Sequence, residues 1–546
     1  MNNRLIHLPV LMAFCAIQVA AQPVTEHNWN PGFQKIISVN TTALPAKISQ
    51  TRRKGFVISG TQFSNFSGNT DALLMMVNPQ GKPEWTNGYD AETDYNAYES
   101  TELSDASVVA VTDQFDGRAG LLRTNKYGHL KWQKQWSITD GFVNFTRIKP
   151  LSGGQFLVAG PLTDASFNSG SLLVKFNSDG CIIWKKVYEI PGVRSTPVAM
   201  ETMGSCIYTA GISTTNSFNT ADTIVVTKIN SYTGAVLSAR KIWLADHAVI
   251  NVQLAKRTDG NFVLSLTLSG NNTGETVNSM MVLNNALEPQ QTIRLSNIPE
   301  GSLIGSAPTT DKGIAVIYND VSFENGYLLK FNKQLQPVFG RYYPKEYRGS
   351  TAYQLNSLCA TADGGFMMVG TRNIPDSTVM YLIKTDGYGK TGACGSSTIS
   401  AGVEPFTLSS SAFTIPVIYE PELVASAQQI PQNAIPAIET ELCPRENQCA
   451  ATPETGTVME TVTEITSSLV VQAGPNPSTH SFTLRAQSSV TAPVMVRVRD
   501  IQGRLVQQFT MQPNQQAQAG NNWKPGVYLA ELVQGNERKI IRLVKQ

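Results

Sequence analysis

The sequence predicts an all-β protein: a seven-bladed β-propeller, then an extended arm, a linker and a small C-terminal β-sandwich. Three observations carry the prediction. The first is a recurring motif, clearest in Asn177–Tyr188, NSDGCIIWKKVY. An Asn opens a turn, a Gly follows three residues on, Trp184 comes seven after the Asn, and Tyr188 four after that. Further copies start at Asn78, Asn125 and Asn332, with degenerate ones at Asn230, Asn284 and Asp386, so the seven starts lie 47 to 54 residues apart. A period near 50 marks a propeller or solenoid. The second is the pattern inside each repeat, where short β-branched and aromatic runs are separated by turn residues. Examples are Phe56 onward (FVISGT), Phe156 onward (FLVAG) and Phe366 onward (FMMVG). The third is a change of texture after residue 395 and again after 468.

The elements follow in chain order. Residues 1–21 read as a signal peptide, with Arg4 at the positive end, an apolar run from Leu8 to Val19 and small residues before Gln22. Residues 22–395 form the propeller. Each repeat supplies a weak first strand, an apolar second strand, a third strand such as Leu172–Phe176, and a fourth after the Asn-x-x-Gly turn. Asn bonds its own backbone two residues on and Gly accepts a positive φ, which together close a tight hairpin. The aromatics after the turn lie four apart, hence on one face of a strand, and fill the gap between blades. The seventh repeat lacks its Trp strand. Trp29 to Phe33 repeats the Trp-x-x-x-aromatic signature, so this segment is expected to close the ring as the outer strand of blade seven.

Residues 396–449 are rich in Ser, Ala, Pro and Ile and read as an extended arm. Residues 450–468 are Thr- and Glu-rich, a linker composition. Residues 469–546 return to short antiparallel strands: Met495 to Val498, Leu505 to Phe509, and a final hairpin across Gly535-Asn536. Their ordered motifs are Pro475-Asn476-Pro477-Ser478, a strand ending in Asp500 before Gly503-Arg504-Leu505, the Pro525-Gly526-Val527-Tyr528 step, and a basic end at Arg542 to Lys545. On these residues the tail resembles the type A C-terminal sorting domain of the type IX secretion system of Bacteroidetes. The resemblance covers about the last 78 residues. It implies export through the general pathway and an outer-membrane translocon, with the secretion machinery as partner. It also implies removal of the domain and attachment to surface lipopolysaccharide, although the terminal Gln546 departs from a basic last residue and leaves soluble release open.

Composition limits the function. Charged residues make up 15% and the formal charge is +2, so neither a nucleic-acid surface nor a charged tail is expected. No segment after the signal has 18 uninterrupted apolar residues, so no transmembrane helix is expected. Six cysteines follow the signal, permitting disulfides in an exported chain, with Cys443 and Cys449 the favoured pair. No Gly-x-Ser-x-Gly elbow, His-Glu-x-x-His or phosphate loop is present. Asp113 and Asp116 are the residues a calcium ion would use, but two close carboxylates in a loop are more often simply solvated, and no cofactor is assigned.

The loops joining strands two and three, and the inter-blade connections, share one face and are long. Those joining one to two and three to four are short. Five of the long loops carry a Phe: Phe66, Phe115, Phe167, Phe218 and Phe323. Binding usually sits on long loops of a rigid scaffold, so this face is where a glycan or protein is expected to bind. The bland account is that each Phe tucks under its own loop. The reading is of a secreted or cell-surface binding platform without catalysis. A glycan-active hydrolase or lyase and a structural envelope protein are the alternatives.

Overall fold

Asn at the head of each turn does what the motif requires. The Asn78 side-chain oxygen accepts the backbone N–H groups of Gln80 at 3.0 Å and Lys82 at 2.9 Å. Asn177 repeats this toward Asp179 and Cys181, and Asp386 toward Tyr388 and Lys390. The closing residue has positive φ throughout: 75° at Gly81, 83° at Gly128 and 74° at Gly389. In the copies that start at Asn284 and Asn332 that place falls to Leu287 and Leu335, with φ of 66° and 54°. Both leucines are buried, and burial offsets a left-handed backbone that costs about 1–2 kcal/mol.

The structure, a computed structural model, describes residues 32–442 and 470–546, except 40–41, 64–68, 91–93, 115, 167, 216–220, 272, 323, 345–351, 375–376, 393–394, 427–430, 477, 489–490, 501–503 and 535–536. It is all-β apart from one 3-10 turn at Ser152–Gly154. The chain divides into two units, residues 1–447 and 448–546.

Among the described residues the first unit contains seven antiparallel sheets. Six are built in sequence, as in blade one: Ala43–Gln50, Phe56–Phe63, Thr70–Val77 and Pro83–Tyr89. The innermost strands touch in succession, and that of the seventh blade, Ala352–Ala360, touches that of the first, so the ring closes. Apolar clusters fill the seams between neighbouring blades. One joins Tyr208 and Ile224 of blade four to Phe262 and Leu264 of blade five.

In three blades a tyrosine hydroxyl, four residues after the first aromatic of the motif, latches the blade to the next turn. Tyr89 donates to the Gly128 carbonyl at 3.1 Å, Tyr188 to that of Gly234 at 2.7 Å, and Tyr343 to that of Gly389 at 2.8 Å. The indoles of Trp85 and Trp184 donate to the carbonyls of Lys126 and Ser231, each at 3.1 Å. Gly is therefore required twice at Gly128. Its φ is positive, and a Cβ there would lie 2.7 Å from the Trp85 ring.

Blade seven departs from expectation in register. Its fourth strand is Phe33–Val39 and not Trp29 to Phe33; Trp29 lies outside the described residues. Phe33 stands opposite Lys384 and Ile37 opposite Met380. These are the places that Trp85 and Tyr89 take opposite Met76 and Ala72 in blade one. The signature thus sits four residues later, as Phe33 and Ile37.

The arm is more ordered than its composition suggests. It circles the ring against chain direction and adds a fifth, antiparallel strand to the outer edge of every blade. Ser397–Thr398 joins blade six, Gly402–Pro405 blade five, Ser409–Phe413 blade four and Val417–Tyr419 blade three. Val424–Ser426 then joins blade two, Gln432–Ala434 blade one, and Ala437–Glu441 blade seven. Between strands it presses apolar side chains into the seams. Ile399 enters the seam of blades six and five, Leu408 that of five and four, and Ile415 that of four and three. Leu423 enters between three and two, Ile435 between one and seven, and Leu442 between seven and six. The closing strand Phe33–Val39 is consequently held on both sides, by Ser377–Thr385 and by Ala437–Glu441.

The second unit pairs a three-stranded sheet with a four-stranded one over a single core that includes Phe482, Leu484, Val496, Leu532 and Leu543. Asn476 fixes its last strand. The side-chain amide donates to the Arg542 carbonyl at 2.7 Å, and its oxygen accepts Val544 N–H at 2.8 Å. Ser478 continues the clamp, bonding Val544 and Gln546 through its backbone.

Candidate functional site

The first strand of each blade faces the ring axis, and pairing registers show which side chains point inward. Relative to the second strand, Lys47, Glu99, Arg147, Ala199, Gln253, Gly305 and Ser357 are equivalent, opposite Ser59, Val111, Ala159, Ala210, Ser265, Ile317 and Val369. Two residues on, toward the short turns, lies a second tier that includes Lys149, Glu201, Ala307 and Cys359. The residues between tiers, such as Ile48, Ile148 and Leu254, are buried in the blades. In blades one, two, four, six and seven a bulge directly precedes the first-tier residue, a device that re-aims a side chain.

Together the tiers line a central cavity of about 310 Å3 to which all seven blades contribute. Its charge is uneven. Blades one to four bring Lys47, Glu99, Arg147, Lys149 and Glu201, while blades five to seven bring Gln253, Ser306, Ala307, Ser357, Leu358 and Cys359. Lys149 and Glu201 form an ion pair at 3.1 Å. Glu99 accepts the Ile148 backbone N–H at 3.0 Å. Arg147 donates from Nε to the Val198 carbonyl at 2.5 Å and from one terminal nitrogen to that of Thr146 at 2.7 Å. Among the described residues no hydrogen bond or ion pair reaches the Lys47 ammonium.

These environments set the protonation states. Burial lowers the Lys47 pKa to about 8, assisted by the Arg147 and Lys149 charges and opposed by Glu99 and Glu201. Burial acts on Lys149 in the same direction, but Glu201 and Glu99 outweigh it and hold that ammonium above its usual value. Burial pushes the Cys359 thiol up to about 12, so it is an unreactive lining group. The ordinary pKa of Lys47 is 10.5, so between about pH 8 and 10.5 the unfolded chain holds a proton that the folded chain does not. The penalty is complete below pH 8 and disappears as pH rises to 10.5. Lys47→Met is therefore expected to stabilise the protein at pH 7 by about 1–3 kcal/mol. Melting curves at pH 7 and pH 10.5 check this: the gain should be present at the first and absent at the second.

The five loop phenylalanines, Phe66, Phe115, Phe167, Phe218 and Phe323, all lie outside the described residues. Of the calcium candidates, Asp113 accepts from Tyr98 at 2.7 Å, Asn144 at 3.2 Å and Asn96 at 3.3 Å, while Asp116 is ion-paired with Arg118. Each carboxylate already serves donors of the chain. Cys443 and Cys449 lie outside the described residues; Cys181, Cys206 and Cys359 are free thiols. In the C-terminal unit Pro475, Asn476, Asp500, Gly526 and Tyr528 are described, and Pro477 and Gly503 are not. Asp500 pairs with Arg504 at 2.7 Å, and Tyr528 packs on Trp523 and donates to the Lys524 carbonyl at 2.8 Å. Sequence reasoning missed the cavity charges. Aligning the repeats on their second strands would have found them, because Lys47, Glu99 and Arg147 each stand nine residues before Phe56, Val108 and Phe156.

Comparison with known proteins bears on the C-terminal unit first. Residues 474–546 match the family model of the secretion system C-terminal sorting domain, the family that the tail's motifs resemble. The curated proteins contain no match. Among solved structures, the chain is similar to the endosialidase of phage phi92 (11% identity, 91% of this chain and 89% of that one, TM-score 0.38). It is also similar to Sqt1 from Chaetomium thermophilum (9% identity, 63% and 97%, TM-score 0.34). A third is the family 43 glycoside hydrolase YxiA from Bacillus licheniformis (9% identity, 63% and 99%, TM-score 0.26). Likenesses at these scores carry no argument about ligand or chemistry. Among the described residues no helix is long and apolar enough to cross a membrane.

Proposed function

We propose that this chain is a binding protein exported by the type IX secretion system, with its ring of blades acting as a ligand platform outside the cell or on its surface. The matched sorting domain supports the address. Retention on surface lipopolysaccharide after removal of that domain belongs to the same reading. The observation that carries the binding role is the central cavity, lined by all seven blades and furnished with side-chain donors that the protein itself does not use. Rigid strands hold these groups, and preformed concave sites with a few placed polar groups are where small ligands bind. The loop phenylalanines Phe66, Phe115, Phe167, Phe218 and Phe323 are a second contact surface for a larger glycan or protein.

The test is a glycan and protein array probed with the chain purified from culture medium, with products of each bound glycan analysed after incubation. Saturable binding without turnover is expected. Turnover of a bound glycan would make the protein an enzyme, and absence of any saturable ligand would leave a structural envelope role.

A further inference from the structure

The cavity has more hydrogen-bond donors than its own walls satisfy, and the excess is cationic. Three cations, Lys47, Arg147 and Lys149, face two carboxylates, Glu99 and Glu201. Glu201 is paired with Lys149, and Glu99 accepts a backbone N–H that leaves its charge in place, so the five groups sum to one net positive charge. Arg147 gives Nε and one terminal nitrogen to backbone carbonyls, which fixes its plane without neutralising its charge. Its other terminal nitrogen and all three Lys47 N–H groups are left for a ligand. An unpaired ammonium in a half-buried site is costly, and that cost disappears when an anion is supplied. The opposite wall is small and neutral: Ser306, Ala307, Pro308, Ser357 and Leu358. A volume of about 310 Å3 is at the lower end of small-ligand pockets and suits one sugar ring.

We propose that the central cavity binds a small organic carboxylate of monosaccharide size, its carboxylate between Lys47 and Arg147 and its uncharged body against the wall from blades six and seven. The proposal rests on the reading of the ring as a binding platform and deepens it by naming the ligand class. Arg147 provides directional N–H donors suited to a carboxylate, and Lys47 provides the balancing charge. The Lys149–Glu201 pair bounds the site toward the short turns and keeps Glu201 from closing on Lys47.

The groups facing Lys47 are Glu99, Arg147, Lys149 and Glu201, with Cys359 neutral across the cavity. Lys47 loses its proton near pH 8. Affinity is therefore expected to be highest below pH 8 and to fall as pH rises through it, because the ammonium that faces the anion is lost.

The experiment is calorimetric titration of the full secreted chain with glucuronate, with glucose as the neutral counterpart of the same ring and sulfate as an inorganic anion. Glucuronate should bind and glucose should bind at least about tenfold more weakly, the scale of a charge-assisted hydrogen bond. Lys47→Met and Arg147→Met should each lose about tenfold or more for glucuronate, with melting curves confirming that both fold. Lys47→Arg should retain binding and abolish its fall above pH 8. Equal binding of glucose and glucuronate would overturn the carboxylate assignment while leaving the platform intact. Sulfate as the only ligand would overturn it in favour of an inorganic anion site. Failure of all three at millimolar concentration would overturn it outright, and the array would then decide the platform reading on its own.

Discussion

Deleting residues 397–441 should make the protein aggregate. These residues supply the outermost strand of every blade. Without them seven sheet edges present unpaired N–H and C=O groups, the template for edge-to-edge association. The seams open as well, because Ile399, Leu408, Ile415, Leu423 and Ile435 leave the inter-blade clusters. The closing strand Phe33–Val39 loses one of its two neighbours and the Lys35–Glu439 ion pair at 3.8 Å. Single substitutions grade the effect. Leu408→Ala and Ile415→Ala, both 7% exposed, should each cost about 2–4 kcal/mol. Ile438→Ser on the same belt, 66% exposed, should change stability by less than about 0.5 kcal/mol. Light scattering and denaturant melts check these. A belt-deleted protein with unchanged light scattering and an unchanged midpoint would show that the ring is complete with four-stranded blades.

The belt was the least legible element in the sequence, for a physical reason. Its strands are two to five residues long, mostly exposed, and paired on one side only. Such strands need no alternating apolar pattern, because their hydrogen bonds come from an edge built elsewhere in the chain. The trace that exists is the recurrence of apolar residues that enter the seams, Ile399, Phe406 and Phe413 at intervals of seven, set by the spacing of blades and not by any local period. The blades themselves were legible because each carries its own instructions. The turn Asn binds two N–H groups of its own turn, and the aromatics after it meet the following turn.

Where a repeat lacks those instructions the reading slipped. Trp29 to Phe33 fits the aromatic spacing, yet the strand uses Phe33 and Ile37 in those places. No turn precedes the segment to fix its register, and pairing with Ser377–Thr385 decides it. The cavity charges were hidden differently. Lys47 and Arg147 sit on weak first strands, 100 residues apart, and become neighbours only when the ring is closed. The C-terminal motifs were legible as a set, and the structure gives one of them a mechanism: Asn476 ties the last strand to the start of the unit.

Loss of the sorting domain should have the second large effect. Removing residues 469–546 leaves a first unit with its own seams and belt intact, so folding and export should separate. A milder variant, Asn476→Ala, removes the bonds to Arg542 and Val544 and should destabilise the C-terminal unit by about 1–3 kcal/mol, lowering export without touching the propeller. The decisive measurement is fractionation of cells producing the full chain or the chain lacking 469–546, with protease resistance read in each fraction. The account predicts the full chain in the medium or on the surface, and the shortened chain in the periplasm, folded and resistant. A shortened chain that still reaches the outside in the same amount would contradict it.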